Sequence, residues 1–311
     1  MSVLKLSYPV YTLNNQLLLP AGSELSEETL DTLISLNKNN SHPSYPLLNY
    51  GSVKNDLLNF LGSVPYNIIF ADQEKTAHPL SIMESVHLVL PVLQALDYFR
   101  QYDFYTYRHI LIVFALSSLL SLDLITDYQD IIREAASGHT HDIGKLCVPL
   151  NILKKSNPLT KTELSIVKHH AAAGYALLCY YLLDGNNFSA RVARDHHERK
   201  NGSGYPSGIQ LKDHTVEIVA ACDVYDALIS ERAYRPVSYD NRTACEEITK
   251  MAERGEISWE VVKALIAYNR KDKPHYNECK VSSEKRGLPP SANFYGVIAE
   301  DKNNPPDSKN N

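Results

Sequence analysis

Residues 107–122, YRHILIVFALSSLLSL, are apolar around nearly the whole circumference of a helix, yet they include His109. A helix without a polar face has to be surrounded by other elements, so this one is expected in the interior. An imidazole carried inside with it needs a hydrogen-bond partner or a metal ion. The other histidines are unevenly spread: seven of the twelve lie between His139 and His214.

Helical periodicity dominates from about Leu80 onward. The apolar-rich stretch LSIMESVHLVLPVLQALDYF (80–99) comes first, and further periodic runs lie near 129–137, 161–183, 189–197, 215–230, 240–254 and 257–268. Upstream, YPVYTLNNQLLLPAGSELSEETLDTLISL predicts a hairpin turning at Asn14-Asn15. A helix follows, capped by Ser26 with Glu27 and Glu28 in its first turn. A strand is expected at Asn67–Phe70. The expected fold class is therefore mainly α: a helical domain over 83–272, preceded by a small α+β module over 1–82. A C-terminal extension, 273–311, ends in the polar, proline-broken EDKNNPPDSKNN, where disorder is expected.

The 311 residues leave room for a substantial core, and 44% hydrophobic with 22% charged residues is a globular balance. A formal net charge of -5 argues against a binder of DNA or RNA polymers. The five cysteines are scattered and without CxxC spacing, which reads as a reducing compartment. No apolar run reads as long enough to span a bilayer, and no signal peptide is evident, so a cytoplasmic protein without a membrane partner is expected.

Three histidine groups mark the helical region: HTHDIGK at 139–145, KHH at 168–170 and RDHHE at 194–198. Asp223, in ACDVYDAL, adds an acid. Neutral imidazoles with one or two aspartates suit divalent transition ions, and a carboxylate can bridge two of them. Neighbouring helical residues point about 100° apart, so His141 and Asp142 address different sides of a cluster if the helix ends there, as Gly144 permits. Each residue alone has a plainer reading. His109 would be a satisfied core residue, His169 and His170 a polar face, and Asp223 a cap or helix-face acid.

Together these blocks resemble the HD-GYP family of metal-dependent phosphohydrolases over about residues 100–270. The resemblance rests on HDIGKLCVP (141–149), LTKTELSIVKHHAAAGYALL (159–178), HHERKNGSGYPSGI (196–209) and DVYDALISERAYRP (223–236). It implies an all-helical HD-type bundle and hydrolysis of cyclic di-GMP at two or three iron or manganese ions. The implied metal ligands are His109, His141, Asp142, His170, His196, His197 and Asp223. His170 is selected over His169 by its place four residues before Gly174. Asp142 would bridge, with His109, His141 and Asp223 around one ion and His170, His196 and His197 around the other.

The resemblance further implies that Lys145 contacts phosphate or assists proton transfer, making Asp142 and Lys145 the catalytic pair. Tyr205, on a turn stiffened by Pro206, would contact the ligand, and Arg232 and Arg235 would hold its phosphates. Several positions depart from the family pattern. Tyr105 stands where three-metal members carry a glutamate, so two ions are expected. Ile112 replaces an arginine, His139 and Thr140 stand where apolar residues are usual, and Lys200-Asn201 replaces Trp-Asp.

The expected function is hydrolysis of cyclic di-GMP to pGpG or GMP through a hydroxide bridging two divalent ions, iron first and manganese second. The alternatives are a metal-bearing cyclic di-GMP receptor with little or no catalysis, and a phosphohydrolase for another nucleotide. A signalling partner would dock on the N-terminal module or the GYP loop.

Overall fold

In the computed structural model the apolar segment forms a helix from Phe104 to Leu124. The structure describes residues 3–40, 42–127, 131, 137–231, 237–291 and 297–300. Asp103 starts the helix: its carboxylate accepts from the Thr106 amide at 3.4 Å and the Thr106 hydroxyl at 2.7 Å. That satisfies donors which the first turn leaves without a helical partner. From His109 through Ser121 every side chain is buried. Each large apolar group there contributes about 1.5–3 kcal/mol relative to exposure. At 21 residues and a mean hydropathy of 1.4, the helix is long and apolar enough to cross a bilayer, which corrects the expectation that no run is. Its apolar window is 78% buried inside the protein.

Gln73–Ser85, Leu90–Tyr102, His214–Ile229 and Trp259–Asn269 pack around this helix. A second group forms where His170–Leu182 packs on Phe188–Asp195 and on the 3-10 turn Ile143–Cys147. Caps set the starts of these helices. Asp213 accepts from the Thr215 and Val216 amides, Asn187 from Ser189 and Ala190, and Thr160 forms a reciprocal box with Glu163. The mainly helical fold expected from periodicity is the one observed.

Among the N-terminal elements, Val10–Tyr11 and Leu17–Leu19 pair as the expected hairpin, with Asn15 at φ 59° in its turn. Ser26 caps Glu27–Asn37 through the Thr29 amide at 3.2 Å. The strand expected at Asn67–Phe70 is instead part of a short helix, Tyr66–Ile69. Tyr66 and Ile69 lie on one buried face there, so the short apolar run had a helical period too brief to recognise. The stretch 80–99 is not one helix either. His87–Val89 pairs antiparallel with Ser44–Pro46, and a new helix begins at Leu90, with Pro91 suited to its first turn. Among the remaining expectations, the run near 129–137 falls mostly outside the described residues, as does the end 300–311, where disorder is expected, apart from Glu300.

One apolar core runs through both the N-terminal elements and the helical region. Leu30 and Leu33 of the first helix belong to it, and the Asn37 amide donates to the Tyr180 carbonyl at 2.9 Å. The hairpin reaches the turn that carries HD: the Cys147 thiol donates to the Tyr11 carbonyl at 3.5 Å.

That turn lies tightly against His170–Leu182. A Cβ placed on Gly144 would fall 1.9 Å from the His170 carbonyl oxygen and 2.5 Å from the Gly174 nitrogen. Both are backbone atoms, so neither side can yield without moving a helix or the turn. Gly144→Ala is expected to cost about 3 kcal/mol or more, within the range of overpacking mutations. Thermal denaturation checks this: the melting temperature should fall by several degrees or more. An unchanged value would mean the turn is free to move away.

Candidate metal centre

Five imidazoles converge from four separate elements. His109 is in the second turn of Phe104–Leu124, and His141 and Asp142 immediately precede the Ile143–Cys147 turn. His170 opens His170–Leu182, and His196 and His197 follow the helix Phe188–Asp195. Asp223 reaches in from the middle of His214–Ile229.

The backbone decides which ring nitrogen faces inward. Nδ1–H of His141 donates to the Gly138 carbonyl at 2.7 Å, that of His170 to Val167 at 2.6 Å, and that of His196 to Ala193 at 2.9 Å. Val167 and Ala193 lie in the last turns of their helices, where carbonyls lack helical partners. A carbonyl can only accept, so each Nδ1 carries the proton and each Nε2 presents a lone pair. The His170 and His196 Nε2 atoms then stand 3.3 Å apart, and those of His197 and His170 stand 3.1 Å apart. Burial lowers the pKa of His170 and of His197, and brings His196 to about 3. For His170 and His196, both fixed by carbonyls, neutral rings with opposed lone pairs at this distance repel, unless a cation lies between them.

On the other side, the Nε2 atoms of His109 and His141 are 3.4 Å apart, and His109 Nε2 is 3.0 Å from Asp223 Oδ1. Burial works against a charge on His109, but its contacts with Asp223 and Asp226 outweigh this and raise its pKa. Asp142 stands between the groups. Its Oδ1 is 3.4 Å from His170 Nε2, and its Oδ2 is 3.5 Å from both His109 and His141 Nε2. Burial pushes the Asp142 carboxyl up, yet Lys145 and the surrounding histidines hold it well below the usual range. Three overlapping donor sets are close enough to hold an ion: His170, His196 and His197; His109, His141 and Asp223; and His141, Asp142 and His196. Buried, neutral nitrogen donors flanking an ionised carboxylate fit divalent transition ions.

A cavity of about 520 Å³ opens over Asp142, His170, His197 and Asp223. Lys145 lines it, with Nζ 2.6 Å from Asp142 Oδ2. Tyr205 also lines it, but its ring stacks on His197 at 4.4 Å and 23°. Lys168 Nζ lies 4.9 Å from the same ring centre. The face toward His197 is therefore taken. Tyr105 stacks on His109 at 5.6 Å and 17°. Arg232 and Arg235 lie outside the described residues.

His169 turns away from the cluster, packing edge-on against Tyr8 at 5.6 Å, while His170 turns into it. His139 is buried beside Phe114, without a hydrogen-bond partner among the described residues; burial keeps it neutral, with a pKa of about 3. Ile112 is a core residue. The GYP loop is fixed by Glu198, whose Oε1 accepts from the Ser207 and Gly208 amides at 2.7 and 3.1 Å. Lys200 and Asn201 also anchor it: the Lys200 amide donates to the Glu256 carbonyl, and the Asn201 side chain to the Arg254 carbonyl. A Cβ on Gly204 would fall 2.3 Å from the His197 carbonyl oxygen, so the loop lies flush on HHE.

A family model described as HD domain matches residues 97–258, more than half of the chain. A cyclic di-GMP phosphodiesterase of Pseudomonas aeruginosa is 34% identical over 202 residues, covering 61% of this chain and 47% of that protein. One of Thermotoga maritima is 33% identical over 165 residues, covering 52% and 45%. A 3'3'-cGAMP-specific phosphodiesterase of Vibrio cholerae is 35% identical over 133 residues, covering 42% and 28%. The chain thus spans about half the length, or less, of these curated relatives.

One residue of the site was not singled out from the sequence. Asp226 Oδ2 accepts from His109 Nδ1 at 2.6 Å and is fully buried. Tyr66 and the Ser230 hydroxyl donate to its other oxygen, and Arg108 donates to Ser230 at 2.8 Å. The signal was present in DVYDAL: positions 223 and 226 are three apart and share a helix face. A carboxylate behind a ligand histidine fixes its tautomer and raises its basicity. Asp226→Asn is expected to weaken metal affinity about 10–100-fold, measured by competition with a chromophoric chelator. Affinity equal to wild type would show that Asp226 does not govern the His109 donor.

Proposed function

The chain belongs to the HD domain family, and on that premise we propose that it is a metal-dependent cyclic dinucleotide phosphodiesterase, with cyclic di-GMP as substrate and pGpG or GMP as product. The observation that carries this reading is the set of opposed imidazole nitrogens around ionised Asp142 on the floor of an open cavity. We take the centre to hold two divalent ions, iron before manganese, in a cytoplasmic protein.

His109, His141 and Asp223 would hold one ion, and His170, His196 and His197 the other, with one Asp142 oxygen toward each. When bound, the ions supply Lewis acidity: they acidify water and offset negative charge on phosphate oxygens. Lys145 sits where its ammonium meets a phosphate oxygen beside Asp142, and it can donate a proton toward the leaving ribose oxygen. Asp226 and the carbonyls of Gly138, Val167 and Ala193 keep each ring oriented through the reaction. Tyr205, held by His197 and Lys168, shapes the cavity wall. Arg232 and Arg235 remain proposed phosphate contacts on the strength of the sequence alone.

We further take residues 1–82 as a small α+β module, 83–272 as the HD domain and 273–311 as an extension. The contacts from Tyr8 and Tyr11 to His169 and Cys147 give the module, or a partner bound to it, a route to the site. A second reading, a receptor with little turnover, is favoured by the aromatic Tyr105 against His109.

Product chromatography decides between them. Metal-loaded protein is offered cyclic di-GMP and 3'3'-cGAMP separately. Linear dinucleotide or monophosphate should form from cyclic di-GMP, and a chelator should abolish it. A rise in melting temperature with cyclic di-GMP but no product would establish the receptor instead. Turnover of 3'3'-cGAMP alone would reassign the substrate.

A further inference from the structure

The cavity over the metal centre is lined by two kinds of surface. Lys145 and the imidazoles of His170 and His197 are polar. Leu153, Leu159 and Leu164 supply apolar surface, with Lys154 and Asn157 beside them in the chain. Part of that apolar surface comes from outside the segment matched by the HD domain family. Ile298–Ala299 pairs in parallel with Leu159–Thr160, in the register Leu159 to Ile298 and Thr160 to Ala299. The pairing sets Val297 and Ile298 on the cavity wall. Both are about half exposed, 49% and 48%, so each is backed by protein and still offers an apolar surface.

A nucleotide divides in the same way, into a charged phosphodiester and a flat, largely apolar base. The phosphodiester belongs with the cations and the metal ligands, which leaves the base for the apolar surface. We infer that Val297 and Ile298 form a nucleobase wall of the substrate cavity and determine its affinity for the base. The inference rests on the proposed cyclic dinucleotide substrate. A wall that meets the base offers no group to the phosphate, so it would govern binding and leave bond cleavage to the metal centre. It is contributed by this chain's own C-terminal segment, beyond residue 258 where the family match ends. The strand it pairs with leads directly into Lys161–Lys168, whose last residue lies over Tyr205, and then to His170. Base contact and metal ligation are thereby tied through one stretch of chain.

The test uses full-length, metal-loaded protein with the single substitutions Val297→Asp and Ile298→Asp, and Ile298→Leu as the conservative control. Because both positions are half exposed, folding should survive; metal content and melting temperature verify it. For cyclic di-GMP, each Asp variant should raise KM about tenfold with kcat within about twofold of wild type, and Ile298→Leu should behave as wild type. Calorimetric titration at a temperature where turnover is slow should show the same loss in Kd. Unchanged KM and Kd overturn the wall while leaving the phosphodiesterase reading intact. A rise in kcat/KM also overturns it, since the segment would then be an obstruction. If wild-type protein neither binds nor cleaves cyclic di-GMP, the substrate reading fails, and the wall inference fails with it.

Discussion

Everything in this structure is arranged around imidazole nitrogens that face one another with their lone pairs. His141, His170 and His196 are locked by backbone carbonyls into the tautomer that points Nε2 inward, and His109 is aimed by Asp226. Burial then keeps His170 and His196 from relieving the repulsion by taking up protons. A site with water access would let these rings charge and turn. A site with side-chain partners in place of carbonyls would let the tautomers exchange. At His170 and His196 the tautomers are fixed by carbonyls and charging is opposed by burial, so their facing nitrogens are suited to a cation.

The scaffold explains how such an unfavourable arrangement is tolerated. The central helix has no polar face to satisfy and is buried from His109 to Ser121, so packing sets its position, with the Asp103 cap and the His109–Asp226 bond fixing its start. Helix ends supply the carbonyls that the histidines need, turning a general deficit of helices into an orienting device. Gly144 and Gly204 then allow two turns to lie directly on neighbouring backbone, bringing HD to His170 and the GYP loop onto HHE. Glu198 ties that loop down through two amides. The geometry of the histidine cluster and fold stability therefore share the same few close contacts.

Much of this was legible in the sequence, for identifiable reasons. Long helices with sustained periodicity were readable, as was the buried His109, because an apolar helix leaves it nowhere else to go. The histidine groups were readable because adjacent imidazoles beside apolar helices are costly unless used. What escaped were features set by distant partners. The four-residue helix Tyr66–Ile69 is too short for periodicity to separate it from a strand. His87–Val89 is a strand only because Ser44–Pro46 lies beside it. Asp226 gains its meaning from Tyr66 and His109, remote in sequence, and Ile298 from its pairing with Leu159.

The most direct test of a carboxylate-bridged, two-ion centre is elemental analysis of anaerobically purified protein and of its Asp142→Ala variant, with metal identity read in the same run. The account predicts close to two equivalents of a divalent transition metal per wild-type chain and loss of metal loading in the variant. Retention of two equivalents with unchanged affinity after removal of Asp142 would contradict it.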